Sequence, residues 1–436
     1  VGGTEVYVKG LARHLSSHGV TSLVVTPADR EGRYEHDGIP VFRLPVREAL
    51  PLRHHYDAGD DDMAARLVSI AVQEQADLVH FHAQTPALGL SAVRACRDAG
   101  LPVVLTYHTP TISCQRGTLM LWGTSPCDGI LDAKRCTACV LQGLGIGRAG
   151  AELITRLPSS ISRRASTQTS TTRVTTALAL PMLVAQACHT RQDLFREVDA
   201  LVVPCQWAWD LMLRNGVPAE KLRLLRQGID VDGTAPMPAP HQSGALRLVF
   251  AGRINETKGV DTLVSALSRL KGRNLSLDIY GRVDASQRFA RDLVQSAQGD
   301  TRIRFRGHVP LERVVGVLAD YDAILVPSVG LETGPLVVLE ARAARTPVIG
   351  SNLGGIAELV RDKIDGLLVK PGDAVAWASA IQEVLDDRSL LDRLRDAAPP
   401  PTLMSDTAAA MTTLYRDTLL SGPVQSRNLK QQRVTL

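Results

Sequence analysis

The sequence predicts an α/β protein made of two doubly wound halves. Three observations carry that reading. Short apolar runs alternate with helical stretches from the start of the chain, the rhythm resumes at Leu246, and a Pro- and Gly-rich segment lies between. Buried strands alternating with helices belong to βα units and parallel sheets. At 436 residues the chain has room for two or three domains. Hydrophobic residues make up 44% of it and charged residues 22%, a balance that excludes wholesale disorder. No run approaches the roughly 20 apolar residues of a membrane span. The longest, Val174 to Cys188, is broken by Thr175, Thr176, Pro181 and Gln186. No signal peptide is read at the start, because residues 1–20 form an amphipathic helix carrying Glu5, Lys9 and Arg13. These features predict a cytoplasmic globular protein.

In the first half, Val8, Leu11, Ala12 and Leu15 recur at helical spacing and Gly19 stops that helix. Ser22–Thr26, Val41–Leu44, Leu78–Ala83 and Val103–Tyr107 are predicted strands, with helices Met63–Glu74 and Ala87–Ala99 among them. Asp60-Asp61-Asp62 reads as helix N-terminal charge in a loop, not as a metal site. The chain opens on Gly2-Gly3 and a helix, without the strand that precedes a Gly-rich βα turn. That opening reads as a truncated start, with one wall of the sheet left unpaired.

From about Thr109 to Asp193 the βα rhythm stops. A structureless loop of that length is uncommon in a compact domain, so the insertion is predicted to be helical and functional. Between Val140 and Arg191 it holds six Arg (148, 156, 163, 164, 173 and 191) against Glu152 alone. This local +5 exceeds the net +4 of the whole chain. Basic residues beside apolar ones suit an anionic membrane surface or a lipid-linked substrate, and equally a solvated helix pair. The insertion also carries Cys114, Cys127, Cys136 and Cys139, separated by twelve, eight and two residues. A set of four thiols suits structural zinc. An iron–sulfur or redox role and unliganded thiols stay open. Cys96, Cys188 and Cys205 read as ordinary buried thiols, and disulfides are not expected.

The second half is predicted to run through strands Leu246–Ala251, Leu275–Tyr280, Ile303–Arg306, Ala323–Pro327, Pro347–Gly350 and Gly366–Val369. The expected domains are 1–230, with the insertion at 109–193, and 245–395, joined by a linker at 231–244. A helix at 396–421 is expected to return to the first domain, followed by a basic disordered tail at 422–436. A ligand cleft is expected between the domains, facing the carboxyl ends of the strands.

Two motifs point to the chemistry. After the strand ending at Ala251 comes Gly252-Arg-Ile-Asn-Glu-Thr-Lys-Gly259 and then a helix. Arg253 and Lys258 can converge on one diphosphate, assisted by the helix N-terminus. After the strand at Ile324 comes Glu332-Thr-Gly-Pro-Leu-Val-Val-Leu-Glu340. Pro335 fits the first helical position, which leaves the N–H groups of Leu336 and Val337 to face an anion. Glu340, a carboxylate among apolar helix residues, asks for hydroxyl partners.

In this order and spacing the motifs resemble the retaining nucleotide-sugar glycosyltransferases of family 4, which have the GT-B fold. The likeness runs from Gly2 to about Leu420. It implies that Arg253 and Lys258 hold the donor diphosphate, that Glu332 meets hydroxyls of the donor sugar, and that Glu340 meets the nucleotide ribose. It places backbone reading of the base at Gly307-His308-Val309, and matches Asn352-Leu-Gly-Gly-Ile-Ala-Glu358 to a following Gly-rich turn. Gly2-Gly3 resembles the turn whose backbone approaches the donor phosphate, and His108 the histidine beside donor sugar and acceptor. The segment between the two glutamates departs from the family by having Gly334-Pro335 where an aromatic residue and Gly are usual, so the donor sugar is not carried over.

The implied reaction is transfer of a sugar from a nucleoside diphosphate to a hydroxyl of a lipid-linked or polysaccharide acceptor, with front-face attack and retention. Two cations already neutralise the diphosphate, so the scheme asks for no metal cofactor, and no nucleic-acid partner is expected. Peripheral contact with an anionic membrane at its inner face is the expected location. A nucleotide-sugar 2-epimerase and a non-catalytic nucleotide-sugar-binding, metal- or redox-responsive protein are the rival readings.

Overall fold

The computed structural model describes residues 2–46, 56–167, 172–231, 244–421 and 432–435. It divides into two compact units, Val1–Arg226 with Met404–Leu436, and Gln227–Leu403. Residues 232–243 of the expected linker and 422–431 of the expected tail lie outside the described residues.

The first unit opens on helix Gly3–Ser16, whose Tyr7, Leu11, Ala12 and Leu15 are buried. Strand β1 (Val20–Ala28) follows, then an antiparallel pair, β2 (Gly32–His36) and β3 (Ile39–Pro45). β2 is a strand that apolar patterning could not reveal, since four of its five residues are exposed. Helix Asp61–Gln73 is capped by Asp60, whose side chain accepts from the N–H groups of Asp62 and Met63. The acidic triplet therefore serves the helix start. β4 (Leu78–Phe81), β5 (Val103–Thr106), the small hairpin β6 (Met120–Leu121) and β7 (Ser125–Pro126), β8 (Ala200–Val203) and β9 (Leu222–Leu224) complete the run before the second unit.

The insertion is mostly helical, with helices Ala133–Gly143, Arg148–Ile154, Ser159–Ser166 and Arg173–Glu197. No described helix is long and apolar enough to cross a membrane.

In the second unit β10 (Leu246–Ala251), β11 (Leu275–Tyr280), β12 (Ile303–Gly307), β13 (Ala323–Val326), β14 (Val348–Ser351) and β15 (Gly366–Val369) form one parallel sheet. Its order is β12-β11-β10-β13-β14-β15. The chain winds outward one way from β10 and the other way from β13, so these neighbours flank the topological switch point, where the loops at their carboxyl ends leave a crevice. Two apolar clusters sandwich the sheet, one holding Leu248, Phe250, Leu277 and Trp377, the other Val249, Ile324, Val338 and Ile356.

The end of the chain departs from the sequence reading. Gln432–Thr435 is not a tail but a strand, β16, parallel to β1 on one side and β4 on the other. The first sheet therefore runs β2-β3-β1-β16-β4-β5-β8-β9, without the expected unpaired wall. The physical reason is that peptide groups in the middle of a sheet need partners on both sides. Helix Met404–Ser421 belongs to the same unit, where Met404, Ala408, Met411 and Tyr415 pack with Tyr7 and Leu11.

Candidate active site

The second unit builds its site at the switch point. The loop after β10 and the loop after β13 are tied by backbone hydrogen bonds, Val329 N–H and Gly330 N–H both donating to the Thr257 carbonyl at 2.9 and 3.1 Å. Gly259 makes this contact possible. It has φ +65°, and a Cβ there would overlap the Pro327 carbonyl, so both conformation and space require glycine. The second loop is fixed in turn from the far side. Gly355 N–H donates to the Glu332 carbonyl at 2.8 Å, and a Cβ on Gly355 would sit 2.6 Å from that oxygen.

This scaffold brings Lys258 and Glu332 together. Lys258 Nζ lies 2.6 Å from Glu332 Oε1, with about a fifth of each side chain exposed (21% and 17%). Ser328 Oγ–H donates to the same oxygen at 2.5 Å. Burial raises the Glu332 carboxyl's pKa, but the Lys258 ammonium, the Ser328 hydroxyl and the charge of Arg253 outweigh it and leave Glu332 below the usual range. Arg253 is exposed in the loop after β10.

Glu340 is different. Helix Leu336–Ala343 starts one residue later than expected, with Pro335 at the N-cap. The first N–H groups of a helix have no partner within it, and Leu336 and Val337 are the first two residues of this one. No hydrogen bond to the Glu340 carboxylate is found among the described residues, and burial pushes its pKa up to about 7. Val309 follows β12 at the same carboxyl edge of the sheet and packs against the Val249 cluster.

In the first unit His108 is buried just after β5, its ring T-shaped on Tyr7 at 4.7 Å. Burial depresses its pKa to about 3, so the imidazole is neutral at physiological pH. Sequence reasoning missed its neighbours. His82 Nδ1 lies 2.9 Å from His108 Nε2, and His80 is held by the Tyr415 hydroxyl and Thr106 Oγ1, each at 2.7 Å. The available signal was His-x-His at the end of β4, a spacing that puts both rings on one face of a strand. Gly2 caps the first helix, and its N–H donates to Glu5 Oε2 at 2.9 Å rather than standing open.

The four insertion cysteines also come together. Cys114, Cys127, Cys136 and Cys139 line one small cavity of about 20 Å³. Among the described residues, however, no group of three or more His, Cys, Asp or Glu side chains is set to hold a metal ion. Cys188 is a free, buried thiol, as expected, with Cys136 as a neighbour. Arg191, counted above with the surface charge, is buried with 9% exposure.

The fold and the switch-point site define a protein of the glycosyl transferase class with the GT-B fold. The chain belongs to the glycosyl transferase 4-like family. The family model for that domain matches residues 2–228, and the model for glycosyl transferases group 1 matches residues 238–399. A D-inositol 3-phosphate glycosyltransferase of Arthrobacter sp. is 26% identical over 88% of this chain and 82% of its own length. Its counterpart from Xylanimonas cellulosilytica is 32% identical over 50% of this chain, and the match spans 56% of that protein. The putative colanic acid biosynthesis glycosyltransferase WcaL of Escherichia coli is 31% identical over 44% of this chain and 48% of its own length.

Among solved structures, sucrose-phosphate synthase from Thermosynechococcus elongatus superposes with a TM-score of 0.65 at 20% identity, covering 97% of this chain and 95% of that one. Anabaena HepE in complex with UDP and glucose gives 0.60 at 16% identity, covering 96% of each. At these identities the likeness concerns the fold.

Proposed function

We propose that this chain transfers a sugar from a nucleoside-diphosphate sugar to an acceptor hydroxyl with retention of anomeric configuration. The observation that carries the reading is the Lys258–Glu332 pair at the mouth of the switch point, beside the exposed Arg253 and the start of helix Leu336–Ala343. Charge builds on the departing diphosphate and on an oxocarbenium-like sugar. Arg253, Lys258 and the N–H groups of Leu336 and Val337 stabilise the first. Losing one such donor in comparable sites costs on the order of 10²–10³ in rate.

The pair also suggests how the site responds to its donor. A diphosphate competes with Glu332 for the Lys258 ammonium, and Glu332, released, accepts a hydroxyl of the sugar. Glu340 has no hydrogen-bond partner among the described residues and its pKa is raised by burial alone, and ribose hydroxyls would supply a partner. Glu332 is not assigned as a nucleophile. In front-face attack the leaving phosphate takes the acceptor proton.

For the acceptor we propose a lipid-linked or polysaccharide hydroxyl. In the insertion Leu144, Leu153, Ile161 and Val174 are exposed at 60, 65, 42 and 67%, beside the exposed Arg148, Arg156, Arg163, Arg164 and Arg173. Such a face suits an anionic lipid surface. Flotation with anionic vesicles tests it, and absence from the floated fraction rejects it. The transfer itself is tested by NMR of the product made from an α-linked donor. An α-linked product is expected, and a β-linked product would exclude retention. Isomerised donor formed without acceptor would favour the epimerase reading.

A further inference from the structure

We propose that Gln227 selects the donor sugar, its carboxamide meeting a sugar hydroxyl next to the one taken by Glu332, an assignment that rests on the transfer reading above. Gly334 lies in the short stretch between Glu332 and helix Leu336–Ala343. A Cβ on Gly334 would stand 2.3 Å from Gln227 Oε1 and 2.8 Å from its Cδ. The backbone of Gly334 is not left-handed, so glycine is required here by space and not by conformation. The Gln227 amide therefore fills the place that a side chain at 334 would take.

Both partners in this contact are held in the second unit. Ile229 N–H donates to the Thr402 carbonyl at 3.0 Å, and Ile229 packs with Leu336, Leu339 and Ala343. Gln227 is thus fastened, two residues away, to the helix that carries Glu340. The stretch holding Gly334 is closed against Gly355, where a Cβ would meet the carbonyls of Glu332 and Thr333 at 2.6 and 3.1 Å. Groups placed on packed elements discriminate better than groups on free loops.

The position decides what the amide meets. Glu332, two residues before Gly334, is the group proposed for a sugar hydroxyl. Leu336 and Val337, two and three residues after it, begin the helix whose N–H groups serve the diphosphate. Gln227 stands at the junction, half-buried. A carboxamide is neutral, with two N–H donors and an acceptor oxygen. It matches a hydroxyl, which both donates and accepts, and it can bind a protein group at the same time. A site that hydrogen-bonds a substrate hydroxyl rejects analogues lacking it far better than an apolar pocket does.

The test is donor affinity by calorimetry on the full chain, which needs no acceptor. UDP, GDP and ADP are each compared with their glucose, galactose and mannose derivatives; galactose and mannose each differ from glucose at a single carbon. The wild type is expected to bind one of these sugars about 5–10-fold more tightly than another on the same nucleotide, the worth of one neutral hydrogen bond. Gln227→Met, similar in length, should abolish that preference and weaken the sugar-linked donor more than the diphosphate alone. Gly334→Ala, whose Cβ displaces the amide, should do the same with Gln227 intact, and it decides the matter if Gln227→Met fails to fold. A folded variant with the wild-type preference, an equal weakening of donor and diphosphate, or a wild type that binds the diphosphate without preference among the sugars overturns the proposal. A wild type that binds none of the diphosphates and none of their sugars overturns the transfer reading beneath it.

Discussion

Replacing Glu340 by Gln should make the protein more stable at neutral and alkaline pH and change it little in acid. Burial raises this carboxyl from 4.5 to about 7. For an acid whose pKa is higher folded than unfolded, the stability it allows is fully present below the unfolded value and is lost as pH rises through the folded one. A shift of this size corresponds to about 3 kcal/mol, lost between about pH 4.5 and somewhat above 7. Glutamine carries no charge to desolvate, so Glu340→Gln escapes that loss. In domains of this size each kcal/mol moves the melting temperature by about 2–4 °C. Melting curves of both proteins from pH 5 to 8.5 should therefore diverge as pH rises, with the variant the higher. A difference that is the same at pH 5 and pH 8.5 would refute the assignment of a lone buried carboxyl. Nucleotide should shrink the divergence if ribose hydroxyls meet Glu340, and a nucleotide without effect on it would remove that role.

Other outcomes follow from the same geometry. Lys258→Met leaves Glu332 partly buried without its cation, and breaking such pairs costs roughly 3–5 kcal/mol when fully buried. A smaller loss is expected here at pH 7, narrowing towards acid as Glu332 of the variant protonates before that of the wild type; denaturant titrations at pH 4 and 7 check it. Gly259→Ala should lower stability by about 1–3 kcal/mol through its left-handed backbone alone, with a further loss of transfer as the Lys258 loop lifts from Pro327; an active, stable variant would contradict that contact. His80→Phe strands the Tyr415 and Thr106 hydroxyls, at about 1–3 kcal/mol for each buried group left unmade, and calorimetry should show the drop. Deleting residues 432–436 opens the sheet between β1 and β4, so hydrogen exchange in both strands should accelerate; unchanged protection there would argue against the β16 pairing.

The sequence made the second sheet almost fully legible because β13, β14 and β15 are short, almost fully buried runs and β10, β11 and β12 keep apolar residues at alternate positions. β2 was hidden by its exposure and β16 by its basic, polar surroundings, although Val434 and Thr435 are β-branched residues that suit a strand. The site residues of the second unit could be chosen from spacing and likeness. Their direct ion pair could not, because Lys258 and Glu332 lie 74 positions apart and the two loops meet only in the fold, through the Gly259 packing and the hydrogen bonds to the Thr257 carbonyl. His82 was passed over because a histidine in an apolar run reads as core. Arg191 was read as surface charge because helix Arg173–Glu197 has no marked apolar face to show that one of its arginines points inward.

The most direct test of the central claim is thermal stabilisation by UDP, GDP and ADP of the wild type and of Arg253→Ala. A ligand at 100 times its dissociation constant adds about 2.7 kcal/mol. One diphosphate should raise the melting temperature of the wild type by several degrees and that of the variant by much less. Failure of all three to stabilise the wild type, or equal stabilisation of both proteins, would contradict it.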